Sequence, residues 1–142
     1  MKSSIKGISA FSFCLLLVII LPTLVLADGP PNDNFANATE ISGRSGTVSG
    51  SNVGAGWGPD EPFHADVGNR YSVWWKWTSP VNGIATFSTA GTSFDPTILA
   101  VYQDTEITSS SVAIASRSTW IQPDPLSFTV TKGKSYYIVV CG

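Results

Sequence analysis

Short runs of alternating apolar and polar residues recur along the chain, and turn-forming residues separate them. Such alternation is typical of strands, because successive side chains of a strand point to opposite faces. No amphipathic helix of useful length is predicted, and one helical turn is expected at 35–38, capped by Asn32 or Asp33. The pattern predicts seven strands, at 46–53, 71–79, 84–89, 97–103, 111–116, 126–131 and 135–141.

The alternation also predicts which face of the strands is buried. In the strand at 71–79, Val73, Trp75 and Trp77 share one face, and Trp74 lies on the other. Seven short strands with one apolar face are typical of two packed antiparallel sheets. We therefore expect an all-β antiparallel sandwich. The matching apolar rows are Ala85 and Phe87, Leu99 and Val101, Leu126, Phe128 and Val130, and Tyr136, Ile138 and Val140.

The N-terminus is typical of a secretory signal peptide. Two lysines precede an apolar run at 8–26, and Val25 and Ala27 occupy the −3 and −1 positions of a cleavage site. An uncleaved membrane anchor is the alternative, because the run approaches the roughly 20 residues that span a bilayer. We expect a signal peptide at 1–27 and one domain at 28–142. The mature protein would be secreted or at the cell surface, without stable membrane association.

Charge and cysteine content narrow the classes of partner. Of eight basic residues, two lie in the signal segment, so the mature chain carries six against ten acidic residues, a net charge of −4. No basic patch is visible, which argues against nucleic acid as a partner. Cys141 is the only cysteine of the mature segment, so no intrachain disulfide is expected there. The oligomeric state stays open.

Six sequence blocks stand out in a fixed order, at 31–38, 46–52, 61–65, 72–78, 93–102 and 136–140. This series resembles the β-sandwich modules related to bacterial pre-peptidase C-terminal domains. The resemblance implies a jelly-roll-like, non-catalytic accessory domain of secreted peptidases, adhesins and surface proteins, with calcium or polymer binding in some members. In similar modules a further strand follows, so the fold is expected to lack its last strand and the chain to be a fragment or a truncated gene product.

The residues indicate no catalytic set. His64 is the only histidine, and no Gly-x-Ser-x-Gly nucleophile elbow is present. Glu61 and His64 could contribute two metal ligands, too few for a zinc site. We expect instead that Glu61 accepts hydrogen bonds from loop backbone N–H groups and that His64 packs or bonds locally. The chain is not expected to be an enzyme.

Calcium suits the composition better than zinc, because the loops are rich in Asp, Asn and carbonyl oxygens. Asp33, Asn34 and Asp95 supply oxygen atoms of the kind that this hard cation prefers. The alternative is helix capping by Asp33 and a turn at Asp95. No cofactor is otherwise indicated.

Aromatic residues outside the alternating rows suggest a binding surface. The loop at 54–70 and its neighbours hold several rings, and exposed rings on a rigid sandwich suit the C–H faces of sugars. The alternative is that they cover the ends of the sandwich. The partner expected from them is a polysaccharide or another cell-surface polymer. The candidate ligand-binding residues are Trp57, Phe63, Trp74 and Trp120.

Taken together, the sequence predicts a non-catalytic accessory or binding module of a secreted or cell-surface bacterial protein. One alternative is a glycan-binding module that uses exposed tryptophans. Another is the N-terminal fragment of a larger secreted hydrolase or adhesin.

Overall fold

The computed structural model describes residues 29–65, 71–93, 97–119 and 125–142. The predicted signal peptide at 1–27 lies outside these ranges. Within them, no helix is long and apolar enough to span a bilayer. The elements are a 3₁₀ turn at Phe35–Asn37 and the strands β1 (Thr39–Ile41), β2 (Val73–Thr78), β3 (Gly83–Phe87), β4 (Ile98–Tyr102), β5 (Ala115–Ser118), β6 (Leu126–Val130) and β7 (Ser135–Cys141).

The strands form two sheets, which confirms the all-β prediction and gives a sandwich-like architecture. One sheet has the order β1-β2-β7-β4-β5, and the other consists of β3 and β6. The expectation of a wholly antiparallel arrangement is wrong at one edge, because β1 runs parallel to β2. The long connection at 42–72 makes this pairing feasible, since parallel neighbours need a crossover of a dozen or more residues.

Strand boundaries agree with the prediction to within two residues except in three places. The segment 46–53, expected as a strand, is irregular, with Val48 and Val53 exposed. Here Gly50 lies against a β2 ring so closely that a Cβ atom would come within 2.8 Å of Trp75 Cζ2. The seventh strand of the structure is instead β1. It has only three residues, which are too few for an alternating pattern to be recognised in the sequence. The strand expected at 111–116 begins later, at Ala115.

The helical turn predicted at 35–38 is present as one 3₁₀ turn. Its N-cap residue is Asn34, and the Asn34 side chain makes no capping hydrogen bond. The prediction of Asn32 or Asp33 as the cap is therefore wrong, because both side chains bond to more distant segments.

The main core lies between the two sheets and contains the predicted apolar rows. Aromatic rings join the layers: Phe87 of β3 lies 5.7 Å from Trp77 of β2, between ring centroids, and 5.7 Å from Phe128 of β6. Phe128 in turn lies 5.5 Å from Tyr136 of β7. Each such pair contributes about 0.5–1.5 kcal/mol beyond its buried area.

The five-stranded sheet is buried on its second face as well. Trp74 and Val139 are fully buried there, and Phe35 and Ile107 pack over them. Loops rather than a sheet cover this face, and they bring polar side chains into contact with buried rings. The candidate site is built on this loop-covered face.

Candidate binding site

Two aromatic rings stand exposed on the loop at 54–65. Trp57 is 49% exposed and Phe63 is 65% exposed. Their ring centroids lie 6.2 Å apart, and the ring planes differ by only 24°. We call this pair the aromatic platform. The rings stack with nearly parallel planes, and each keeps a large apolar area exposed to solvent.

A buried carboxylate fixes the loop beneath the platform. Glu61 is only 5% exposed, and its Oε2 accepts a hydrogen bond from Ser72 Oγ at 2.7 Å. Its Oε1 accepts one from Trp74 Nε1 at 3.0 Å. We expected this carboxylate to accept hydrogen bonds from loop backbone N–H groups. That expectation is wrong, because each of its two oxygens accepts from a side chain. Both donors are side chains of β2 or the residue before it.

His64 provides a second attachment, to β4. The imidazole is fully buried, and its Nδ1 lies 2.7 Å from the Tyr102 hydroxyl, at hydrogen-bond distance. Its Nε2 lies 3.9 Å from Glu61 Oε2. The ring also meets the Trp74 ring edge-on, with centroids 5.4 Å apart. His64 packs against a buried ring, as expected, but its hydrogen-bond partner lies 38 positions away in the chain rather than locally. The imidazole thus joins the loop to β2 and β4.

The other end of the loop is fixed through its backbone at Gly56, next to Trp57. Gly56 N–H donates to Asp33 Oδ1 at 2.7 Å, and Gly56 C=O accepts from Ser72 N–H at 3.3 Å. The segment before Asp33 is itself bonded to β2, since Asn32 exchanges two hydrogen bonds of 2.9 Å with the Trp74 backbone. Both rings of the platform therefore flank anchored positions.

Backbone strain accompanies these anchors. Ala65, directly after His64, has φ 50°, and Tyr71, directly before Ser72, has φ 60°. Residues other than glycine rarely adopt this left-handed region, at a cost of about 1–3 kcal/mol each. The bonds made by the neighbouring buried side chains stabilise this backbone, which is typical of a loop that holds one shape.

The structure separates the four predicted aromatic ligand residues. Trp57 and Phe63 lie together and are exposed. Trp74 has no exposed surface, so its expected role as an exposed binding ring is wrong. It lies on the second face of its sheet, as alternation predicted, but loops cover that face. Trp120 lies outside the described residues.

The predicted calcium ligands are only partly described. Asp33 uses one carboxylate oxygen to hold Gly56, and Asn34 is exposed at the start of the 3₁₀ turn. Asp95 lies outside the described residues. Among the residues that the structure does describe, no group of three or more His, Cys, Asp or Glu side chains could hold a metal ion.

Two further ionisable groups lie near the buried carboxylate. Burial raises the pKa of the Cys141 thiol to about 12, and the Glu61 carboxylate adds to the effect. Burial likewise raises the pKa of Tyr102, with smaller contributions from Cys141 and Glu61. The region consequently favours neutral forms of both groups at physiological pH. Cys141 is a free, buried thiol.

We expect stability to fall at alkaline pH because of Cys141. In the unfolded chain the thiol ionises near its ordinary pKa of 9.0, whereas the folded value is about 12. The stabilisation is thus complete below pH 9 and is lost as the pH rises towards 12. The free energy of unfolding, measured with urea, should fall between pH 8 and pH 11 in the wild type. In Cys141→Ala this fall should be smaller by about 2–3 kcal/mol. Equal losses in both proteins would contradict this.

No protein-family model, no curated protein and no solved structure matches the chain. The functional argument consequently depends on the geometry of the loop. The sequence pointed to Trp57 and Phe63 but not to the bonds of Glu61, Ser72 and Trp74. One signal was available in the sequence: a glutamate and the only histidine lie in the same four-residue stretch of a proline- and glycine-rich loop.

Proposed function

We propose that this chain is a non-catalytic accessory module that binds polysaccharide through its aromatic platform. One observation carries the proposal: two exposed, nearly parallel rings stand on a loop that buried hydrogen bonds fix from below. Flat exposed rings pack well against the apolar C–H faces of sugars, and exposed apolar patches commonly mark binding surfaces.

The anchoring supports binding rather than a purely structural role for the rings. An aromatic pair that only filled a gap would be covered, whereas Trp57 and Phe63 are about half and two-thirds exposed. A loop already held in its binding shape loses little conformational entropy when a ligand binds. The side chains beneath it are therefore well suited to keep the platform ready for a ligand.

The proposal also places the module outside the cell. Its support is the signal-peptide pattern at 1–27 and the resemblance to accessory domains of secreted bacterial peptidases and adhesins. On this proposal the fold is a jelly-roll-like sandwich, and the module holds a larger secreted protein on a polymer. No catalytic role is assigned to Glu61 and His64, because both side chains are buried and held in hydrogen bonds within the fold.

Affinity electrophoresis tests the proposal. The purified protein would be run in native gels that contain hydroxyethylcellulose, xylan, laminarin, glycol chitin or alginate. We expect at least one polymer to retard the protein relative to a polymer-free gel and to a non-binding reference protein. If none of the five polymers retards it, the proposal of polysaccharide binding is wrong.

A further inference from the structure

A groove of about 650 Å³ opens beside the aromatic platform. One wall is formed by the loop residues 58–61, which lie in the chain between the two platform rings. The lining also includes Phe35 and Tyr137, whose ring centroids are 4.3 Å apart. The volume lies within the range of about 300–1,000 Å³ that is typical of ligand sites. The groove thus borders the loop segment that joins the two platform rings in the chain, and neither ring itself lines it.

The charges around the groove select the kind of ligand. Asp60 and Glu106 carry carboxylates on its walls, and Glu40 lies in the lining as well. Lys76 is the only basic residue among the lining residues, and its Nζ donates to Glu40 Oε1 at 3.1 Å. The groove therefore carries net negative charge. Carboxylates accept hydrogen bonds from sugar hydroxyls, and they repel sugar acids, sulfates and phosphates.

We infer that the groove is a second subsite, so that the ligand is a polysaccharide chain without negative charge. One sugar unit packs on the platform, and the units that follow lie in the groove along residues 58–61. This inference rests on the proposed function and deepens it. It implies that a chain of several sugars binds more tightly than a single sugar, because only the chain contacts both surfaces.

A matched pair of variants tests the groove. Ala36 is exposed and lines the groove, whereas Ala90 is exposed and lies outside it, after β3. Ala36→Glu and Ala90→Glu each add one negative charge, so their mobilities without polymer should match. In gels with the neutral polymer that retards the wild type most, we expect Ala36→Glu to bind about tenfold more weakly, because the longer side chain fills part of the groove. Ala90→Glu should bind like the wild type. Circular dichroism melts would verify that both are folded.

Competition completes the test. The monosaccharide and the hexasaccharide of the same polymer would each be added to the gels over a range of concentrations, expressed as mass of sugar per volume. We expect the hexasaccharide to release the protein at a concentration at least about tenfold lower, and we expect alginate not to retard it.

Each outcome separates the inference from the proposed function. Equal binding by the two variants, equal competition by the two sugars, or strong retardation by alginate would overturn the inference, while platform binding would stand. If no polymer retards the wild type, both the inference and the proposed function are wrong.

Discussion

Replacing Glu61 by alanine is expected to destabilise the fold by about 2–4 kcal/mol and to weaken polysaccharide binding more than tenfold. The variant leaves Trp74 Nε1–H and Ser72 Oγ–H without their acceptor in a buried environment. A buried donor without a partner costs about 1–3 kcal/mol. Binding should suffer because the loop that carries the platform loses its attachment to β2.

Glu61→Gln distinguishes this account from a simple need for negative charge. The glutamine oxygen can accept from Trp74, and its NH₂ group can donate to Ser72 Oγ. We expect the free energy of unfolding of this variant to fall by less than about 1 kcal/mol. Its affinity for the polysaccharide should stay within about threefold of the wild-type affinity. Urea unfolding gives the stability, and affinity electrophoresis below the unfolding transition gives the binding. If Glu61→Ala were as stable and bound as well as Glu61→Gln, the buried network would not position the loop.

Replacing Trp57 by alanine is expected to weaken polysaccharide binding about thirtyfold and to leave stability nearly unchanged. A tryptophan that forms the centre of a binding surface typically contributes about 2 kcal/mol, which corresponds to that factor. The ring is half exposed, so its removal exposes little of the core. Phe63→Ala should act in the same direction, because the Phe63 ring is also exposed and stacks beside the Trp57 ring.

Two controls accompany the Trp57 variant. Trp57→Phe keeps a flat ring and should retain binding within about fivefold. Ile84→Ala removes an apolar side chain of 76% exposure on β3, away from the platform, and should bind like the wild type. Thermal melts would show whether any of the variants is unfolded. A Trp57→Ala protein that melts normally and binds like the wild type would contradict the assigned role of the platform.

Much of the fold could be predicted because its core strands follow a simple rule. Val73, Trp75 and Trp77 occupy every second position of their strand, and this period of two predicted both the strand and its inner face. The segment 46–53 has the same local composition as a strand but packs as irregular chain over Trp75. Local pattern cannot separate these cases, because strand formation also requires a neighbouring strand with free backbone groups.

The candidate site was predictable only in part. Trp57 and Phe63 stood out because no alternating row accounts for them. Trp74 was mistaken for an exposed ring because strand alternation shows which side of a sheet a residue occupies, not whether a loop covers that side. The bond between Trp74 and Glu61 joins residues 13 positions apart across a long loop, and its geometry depends on how that loop folds back.

The most direct test of the central claim compares the wild type with the double variant Trp57→Ala/Phe63→Ala in native gels that contain a neutral polysaccharide. The account predicts that the wild type is retarded by at least one such polymer and that the double variant, with an unchanged melting temperature, migrates as in a polymer-free gel. Equal retardation of the two proteins would contradict the claim that the aromatic platform binds the polymer.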